Sequence, residues 1–225
     1  MSPTQHPTRT RVLSGAVLVV LTVVIVWFAT ARVFEAFAIA IGLLSTWELF
    51  RLVRRGALGA AMSGGAAAAS TIPFAAIYLG APLAMLVAVR LFAGPQAVFL
   101  LMLTVMISDT AQYYTGRRLG RTPLAPRISP KKTIEGAVGG FVFGAIAFVG
   151  IGGSWTPQIP VVIRFALGLV IVALGIAGDL FESMLKRTAG VKDSSSLIPG
   201  HGGVLDRIDA LLFAAPVYYI ALKFV

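Results

Sequence analysis

The side chains able to do chemistry are few and unevenly placed. Of nine carboxylates in 225 residues, five lie between positions 179 and 209: Asp179, Glu182, Asp193, Asp206 and Asp209. Asp179 and Glu182 are three apart, on one helical face near the end of an apolar run. Asp206 and Asp209 share a face of the helix expected after the turn Pro199-Gly200-His201-Gly202-Gly203. Asp179, Asp206 and Asp209 can therefore converge at one depth on adjacent helices. Clustered carboxylates repel one another unless a cation sits between them. The chain has no Cys and two His, so the ligands are hard oxygens, which point to Mg2+. The plainer alternatives are an Asp206 that only complements its helix dipole and an i,i+4 pair between Glu182 and Lys186.

The glycine turn, through Gly202 and Gly203, can bring backbone amides close to phosphate oxygens. His201 is either a general base or a turn residue that hydrogen-bonds locally. Ser183, Ser194, Ser195 and Ser196 have no evident His-plus-acid arrangement to activate them, so they read as donors to phosphate rather than nucleophiles. A second polar stretch, RRLGRTPLAPRISPKKT at 117–133, carries Arg117, Arg118, Arg121, Arg127, Lys131 and Lys132. Pro123, Pro126 and Pro130 forbid a continuous helix there. The stretch either only orients the chain in a membrane or offers a stiff basic loop to triphosphate or phospholipid headgroups. It links Asp109 to Glu135. Asp109 precedes Arg117 by eight residues, which places it about 12 Å below the loop on a helix. Asp109, Gln112, Tyr113 and Gly116 share one face of that helix. An acid at such a depth reads as functional, the alternative being an ion pair with a neighbouring helix.

The elements that must position these groups follow from composition. The chain is 57% hydrophobic and 12% charged, with a mean hydropathy of +0.88. That excludes a soluble globular domain and a disordered chain. The expected fold is an all-α polytopic transmembrane helical bundle of six to eight spans. It forms one integral-membrane domain over 1–225, with N-terminal spans in 1–94 and the site's spans and loops in 95–225. Spans are expected at 12–31, 33–50, 57–80, 95–116, 134–153, 159–182 and 204–224. Segment 81–92 is short and broken by Arg90, so it reads as re-entrant or interfacial, or as part of a hidden further crossing. Ala29-Thr30-Ala31 has the look of a signal-peptidase site, but the apolar run before it is too long for a signal core. It therefore reads as an uncleaved first span. The net charge of +10 reads as the Lys and Arg excess of cytoplasmic loops rather than as nucleic-acid binding. This places the chain as a multi-pass protein of the inner membrane with the polar stretches facing the cytoplasm. The acids gather towards one face, and the halves show no obvious symmetry, which weighs against a transporter.

The motifs Ser183-x-x-Lys186-Arg187, Lys192-Asp193-Ser194-Ser195 and Pro199-Gly200-His201-Gly202-Gly203-x-x-Asp206-Arg207-x-Asp209 resemble the signature of phosphatidate cytidylyltransferases (CDP-diacylglycerol synthases). So do Ser108-Asp109-Thr110 to Gly116 and Pro126-Arg127-Ile128-Ser129-Pro130-Lys131-Lys132-Thr133-x-Glu135-Gly136. The resemblance covers roughly 105–210. It implies an Mg2+-dependent membrane enzyme that joins CTP to phosphatidic acid, with a second cation as an open alternative and with known dimers among its relatives. It maps Asp179 and Asp206 onto metal-binding aspartates, with Asp209 and Asp109 supporting. It further implies that Lys186, Arg187, Lys192 and Arg207 neutralise the triphosphate, and that Arg127, Lys131 and Lys132 hold the lipid phosphate or the nucleotide. Ser183, Asp193, His201, Gly202 and Gly203 complete the expected substrate site. The chain is shorter than many bacterial members, which implies reduced N-terminal spans, and Gln112 stands where a small residue before Tyr is expected. A related enzyme taking an isoprenoid ether lipid or a polyprenol remains the alternative.

Overall fold

The computed structural model describes residues 8–56 and 64–224. Long apolar runs become helices because a backbone out of water must satisfy its own hydrogen bonds. The elements are α1 (Thr8–Phe28), α2 (Ala31–Arg55), α3 (Gly64–Ala75), a π-turn (Ala76–Gly80), α4 (Ala81–Phe92) and α5 (Gly94–Leu119). There follow β1 (Pro123–Ala125), β2 (Ser129–Thr133), α6 (Ile134–Trp155), α7 (Val161–Thr188) and α8 (Leu205–Phe224). Among the described residues, six helical stretches are long and apolar enough to cross a membrane: Arg9–Phe28, Ala31–Arg55, Ala69–Phe92, Gly94–Leu119, Ile134–Trp155 and Val161–Thr188. The chain is thus an all-α, multi-pass membrane protein. The segment expected to break at 81 instead continues the helix before it. Pro73 lies inside α3, and the ladder it interrupts is retaken through the π-turn rather than ended. The first part of the expected 57–80 span, 57–63, lies outside the described residues.

Connections are short. Ala29 and Thr30 join α1 to α2, and the Thr30 hydroxyl caps α2 by accepting from the Val33 amide at 3.4 Å. Gly94, at φ +83°, opens α5 in the left-handed region that favours glycine, with Pro95 behind it in the first turn. The proline-stiffened stretch is an antiparallel hairpin, pairing Pro123 with Thr133 and Ala125 with Ser129.

Two compact units result, each discontinuous in sequence. One comprises 1–80 and 185–208, the other 81–184 and 209–225. In the second, α5 packs closely on α6 along a stripe of small residues, as membrane helices do where packing rather than hydrophobicity drives association. A Cβ at Gly140 would lie 2.6 Å from Gln112 Cγ and 2.9 Å from Ser108 Oγ. Ala137, Val172 and Ile176 form a small core where α6 meets α7, with Leu124 of β1 packed against it. A Cβ at Gly178 of α7 would collide with the Asp209 carbonyl and lie 3.1 Å from Ala210 Cα. The hairpin root is tied down by Glu135. Its carboxylate accepts from the Arg121 amide at 3.1 Å, the Thr122 amide at 3.2 Å and the Thr122 hydroxyl at 3.0 Å.

Candidate active site

The second unit gathers Asp109 from α5, Lys132 from β2, and Asp179 and Ser183 from α7. Lys132 Nζ lies 2.5 Å from Asp179 Oδ2, and Asp109 interacts electrostatically with both Lys132 and Asp179. One ammonium thus acts on two carboxylates, which lowers their mutual repulsion. Asp179 Oδ1 accepts from the Ser183 hydroxyl at 3.3 Å. Gln112 Nε2 donates to Asp109 Oδ1 at 3.0 Å and Ser108 Oγ at 3.2 Å, so the residue that departs from the expected small type orients the acid one turn before it. Gly140 makes room for it. Asp109 is exposed, and the Asp179 side chain is 29% exposed. Strand alternation sends neighbouring side chains to opposite faces. Lys132 therefore reaches Asp179 while Lys131 is exposed, as is Arg127 in the turn. Asp209 Oδ1 accepts from the Ala210 amide at 2.8 Å.

The first unit holds a different centre. Lys186 Nζ donates to Asp206 Oδ1 at 2.6 Å. Asp206 Oδ2 accepts from the Ser194 amide at 3.0 Å and the Gly203 amide at 2.7 Å, with the Ser194 hydroxyl 2.9 Å away. The amide that the glycine turn was expected to offer to phosphate is, at Gly203, turned towards Asp206. Gly202 takes φ +81°. Arg187 Nη1 donates to the Val191 carbonyl at 3.0 Å, and Lys192, Asp193 and Arg207 are exposed. His201 Nδ1 lies 2.9 Å from the Ser14 hydroxyl, which also lies 2.8 Å from the Pro199 carbonyl. The turn tip is therefore held from α1.

Sequence reading gave Glu48 no role. Its carboxylate is fully buried in α2. Oε1 accepts from Ser195 Oγ at 2.6 Å and the Val204 amide at 3.0 Å. Oε2 accepts from the Leu205 amide at 2.8 Å and lies 3.0 Å from Ser194 Oγ. The only signal was an acid amid an apolar span, which is costly enough to need a reason.

As to a metal, no three His, Asp or Glu side chains among the described residues gather as a binding group. Mg2+ is ordinarily held by one or two carboxylates plus substrate phosphates and water, and the hard-oxygen set of Asp109 and Asp179 fits that pattern. The Asp206 carboxylate has fewer lone pairs left over.

Comparison with known proteins gives a consistent family. The sequence model described as the cytidylyltransferase family matches residues 59–225. The phosphatidate cytidylyltransferase of Aquifex aeolicus is 45% identical over 116 residues, 52% of this chain and 43% of that protein. The phosphatidate cytidylyltransferase of Synechocystis sp. is 49% identical over 117 residues, 51% of this chain and 39% of that protein. The uncharacterized protein YnbB of Escherichia coli is 42% identical over 142 residues, 63% of this chain and 47% of that protein. The alignments span about half the length of these relatives.

Proposed function

The chain belongs to the cytidylyltransferase family, and from that premise we propose that it is a phosphatidate cytidylyltransferase. It would convert CTP and phosphatidic acid into CDP-diacylglycerol and pyrophosphate, a step of phospholipid biosynthesis. A phosphate oxygen of phosphatidic acid attacks the α-phosphorus of CTP, and the bond to the departing pyrophosphate breaks. The attacking phosphate is already largely ionised at neutral pH, with a second pKa near 6, so no strong base is needed. The obstacles are alignment and the repulsion between two anions. The observation that carries the reading is the group Asp109, Lys132 and Asp179, where cationic and anionic side chains meet on apolar helices.

The metal is part of the proposal. Asp179 and Asp206 are the carboxylates that each face a lysine ammonium, and Asp179, with Asp109 beside it, is the better supplied with open oxygens. Mg2+ held there would supply positive charge to the nucleotide phosphates. Lys186, Arg187, Lys192 and Arg207 are proposed to meet the triphosphate, and Arg127, Lys131 and Lys132 the lipid phosphate. Arg117 and Arg118 end α5, Arg54 and Arg55 end α2, and such basic helix ends support an inner-membrane protein whose site faces the cytoplasm. A homodimer is proposed from the family resemblance alone.

The test uses purified full-length protein in nanodiscs, CTP labelled at its α-phosphate, and separate acceptors: phosphatidic acid, an isoprenoid ether lipid phosphate and a polyprenol. Label entering the phosphatidic acid product, with one pyrophosphate released per transfer, is the expected result. Transfer only to another acceptor, or to none, would overturn the substrate assignment.

A further inference from the structure

Glu48 has no part in the chemistry proposed above, yet it is a fully buried carboxylate in α2. Burying an anion is expensive unless hydrogen bonds replace its water. Here the donors are uncharged and come from both sides of the glycine turn: Ser194 and Ser195 before it, Val204 and Leu205 after it. The two amides belong to the start of α8, whose first N–H groups have no partner within the helix. Glu48 therefore caps the Val204 and Leu205 amides from outside this helix, beside the Gly203 amide that Asp206 takes up, with a charge that suits the positive end of the helix.

Gly203 gives an independent sign of the same contact. A Cβ there would lie 2.5 and 2.6 Å from the two Glu48 oxygens and would collide with Ser194 Oγ. The glycine at this position is thus demanded by the close approach of Glu48 and Ser194. Ser194 joins the two carboxylates, since its hydroxyl lies 3.0 Å from Glu48 and 2.9 Å from Asp206. A shift of Glu48 would reach Asp206 through one side chain.

We infer that Glu48 is the positioning residue of the 194–205 segment, fixing the chain between Lys192 and Arg207, two of the cations proposed to meet the triphosphate, and thereby setting the affinity for the nucleotide. It lies outside the residues matched by the family, 59–225. The nucleotide part of this inference rests on the proposed cytidylyl transfer, whereas the hold on the segment does not.

The decisive variant is Glu48→Gln in the full chain in nanodiscs, because the amide nitrogen cannot accept from the donors that surround it. Hydrogen–deuterium exchange without substrate should show the Val204 and Leu205 amides exchanging about tenfold faster or more, the size of one lost charge-assisted hydrogen bond. Amides of α5 and α6 should be unchanged. The KM for CTP should rise about tenfold with a smaller change in kcat, a split that a general loss of fold would not produce. Ser195→Ala, which removes one donor, should give the same pattern at about fivefold, and it serves as the test should the Gln variant not fold. Unchanged exchange at Val204 and Leu205, or faster exchange spread evenly along the chain, would overturn the inference. An unaltered KM with locally faster exchange would overturn its nucleotide part. A wild-type chain that turns over no CTP would overturn the proposed function instead, leaving the exchange result to decide what holds the segment.

Discussion

Asp206 and Asp179 each face a lysine ammonium, at 2.6 and 2.5 Å, yet their surroundings differ. The Asp206 side chain is 5% exposed, and that of Asp179 is 29% exposed. Asp206 also meets two backbone amides and a hydroxyl, and that hydroxyl touches a second buried carboxylate, Glu48. Asp179 meets one hydroxyl, at 3.3 Å. A carboxylate whose lone pairs are filled by the protein holds the backbone in place. One left sparsely hydrogen-bonded beside an exposed partner acid, Asp109, keeps oxygens for a ligand. Two acids with the same motif-level reading thus differ in what they can offer, and the difference lies in their donors.

The contrast is open to attack by substitution. Asp206→Asn should have the largest effect. It removes the anion beside a buried ammonium, a change that costs about 3 kcal/mol, so the thermal midpoint should fall along with activity. Melting in nanodiscs checks the first and CTP turnover the second. Asp179→Asn should separate the two readouts. Turnover should drop about 100-fold or more, the scale of losing a transition-state charge stabiliser. The melting curve should stay near wild type, because a partly exposed pair contributes about 1 kcal/mol or less. If both variants melt alike, the distinction between the two centres fails. Gly140→Val should come next. Its side chain has no room beside Gln112 and Ser108, and overpacking of this kind costs about 1–3 kcal/mol. Because Gln112 orients Asp109, turnover should fall together with stability, measured by the same pair of assays. Ser183→Ala should matter least. It removes a long hydrogen bond worth about 1 kcal/mol or less, and turnover within a few-fold of wild type is expected.

Much of this molecule was legible in its residues. Most spans could be read because bilayer-length apolar runs leave the backbone little choice but helix; the last expected one, 204–224, forms the helix α8 but, with Asp206, Arg207 and Asp209 at its start, is not among the stretches apolar enough to cross a membrane. Pro123, Pro126 and Pro130 read as forbidding a continuous helix over 117–133, and α5 indeed ends at Leu119, before the first of them. That the stretch forms a hairpin was not legible, since strands as short as Pro123–Ala125 and Ser129–Thr133 carry too few residues to show alternation. Segment 81–92 was set apart because it is short and carries Arg90, whereas a π-turn over Ala76–Gly80 joins it to the helix before it. At the site, the motifs singled out Asp109, Asp179, Lys186 and Asp206 as chemistry-bearing residues. They did not say that Lys132 would pair with Asp179, or that Gly203 would turn its amide to Asp206. Glu48 lay furthest from reach. Its donors stand 146–157 positions away, and no local pattern marks a carboxylate that caps a distant helix.

The most direct measurement is binding of Mn2+, used in place of Mg2+ and followed by electron paramagnetic resonance, to the full-length protein in nanodiscs with CTP present. Wild type and Ser183→Ala should bind the ion with similar affinity, and Asp179→Asn should lose that binding while melting at the wild-type temperature. Equal Mn2+ binding by wild type and Asp179→Asn would contradict the claim that the sparsely bonded aspartate is the one reserved for a ligand.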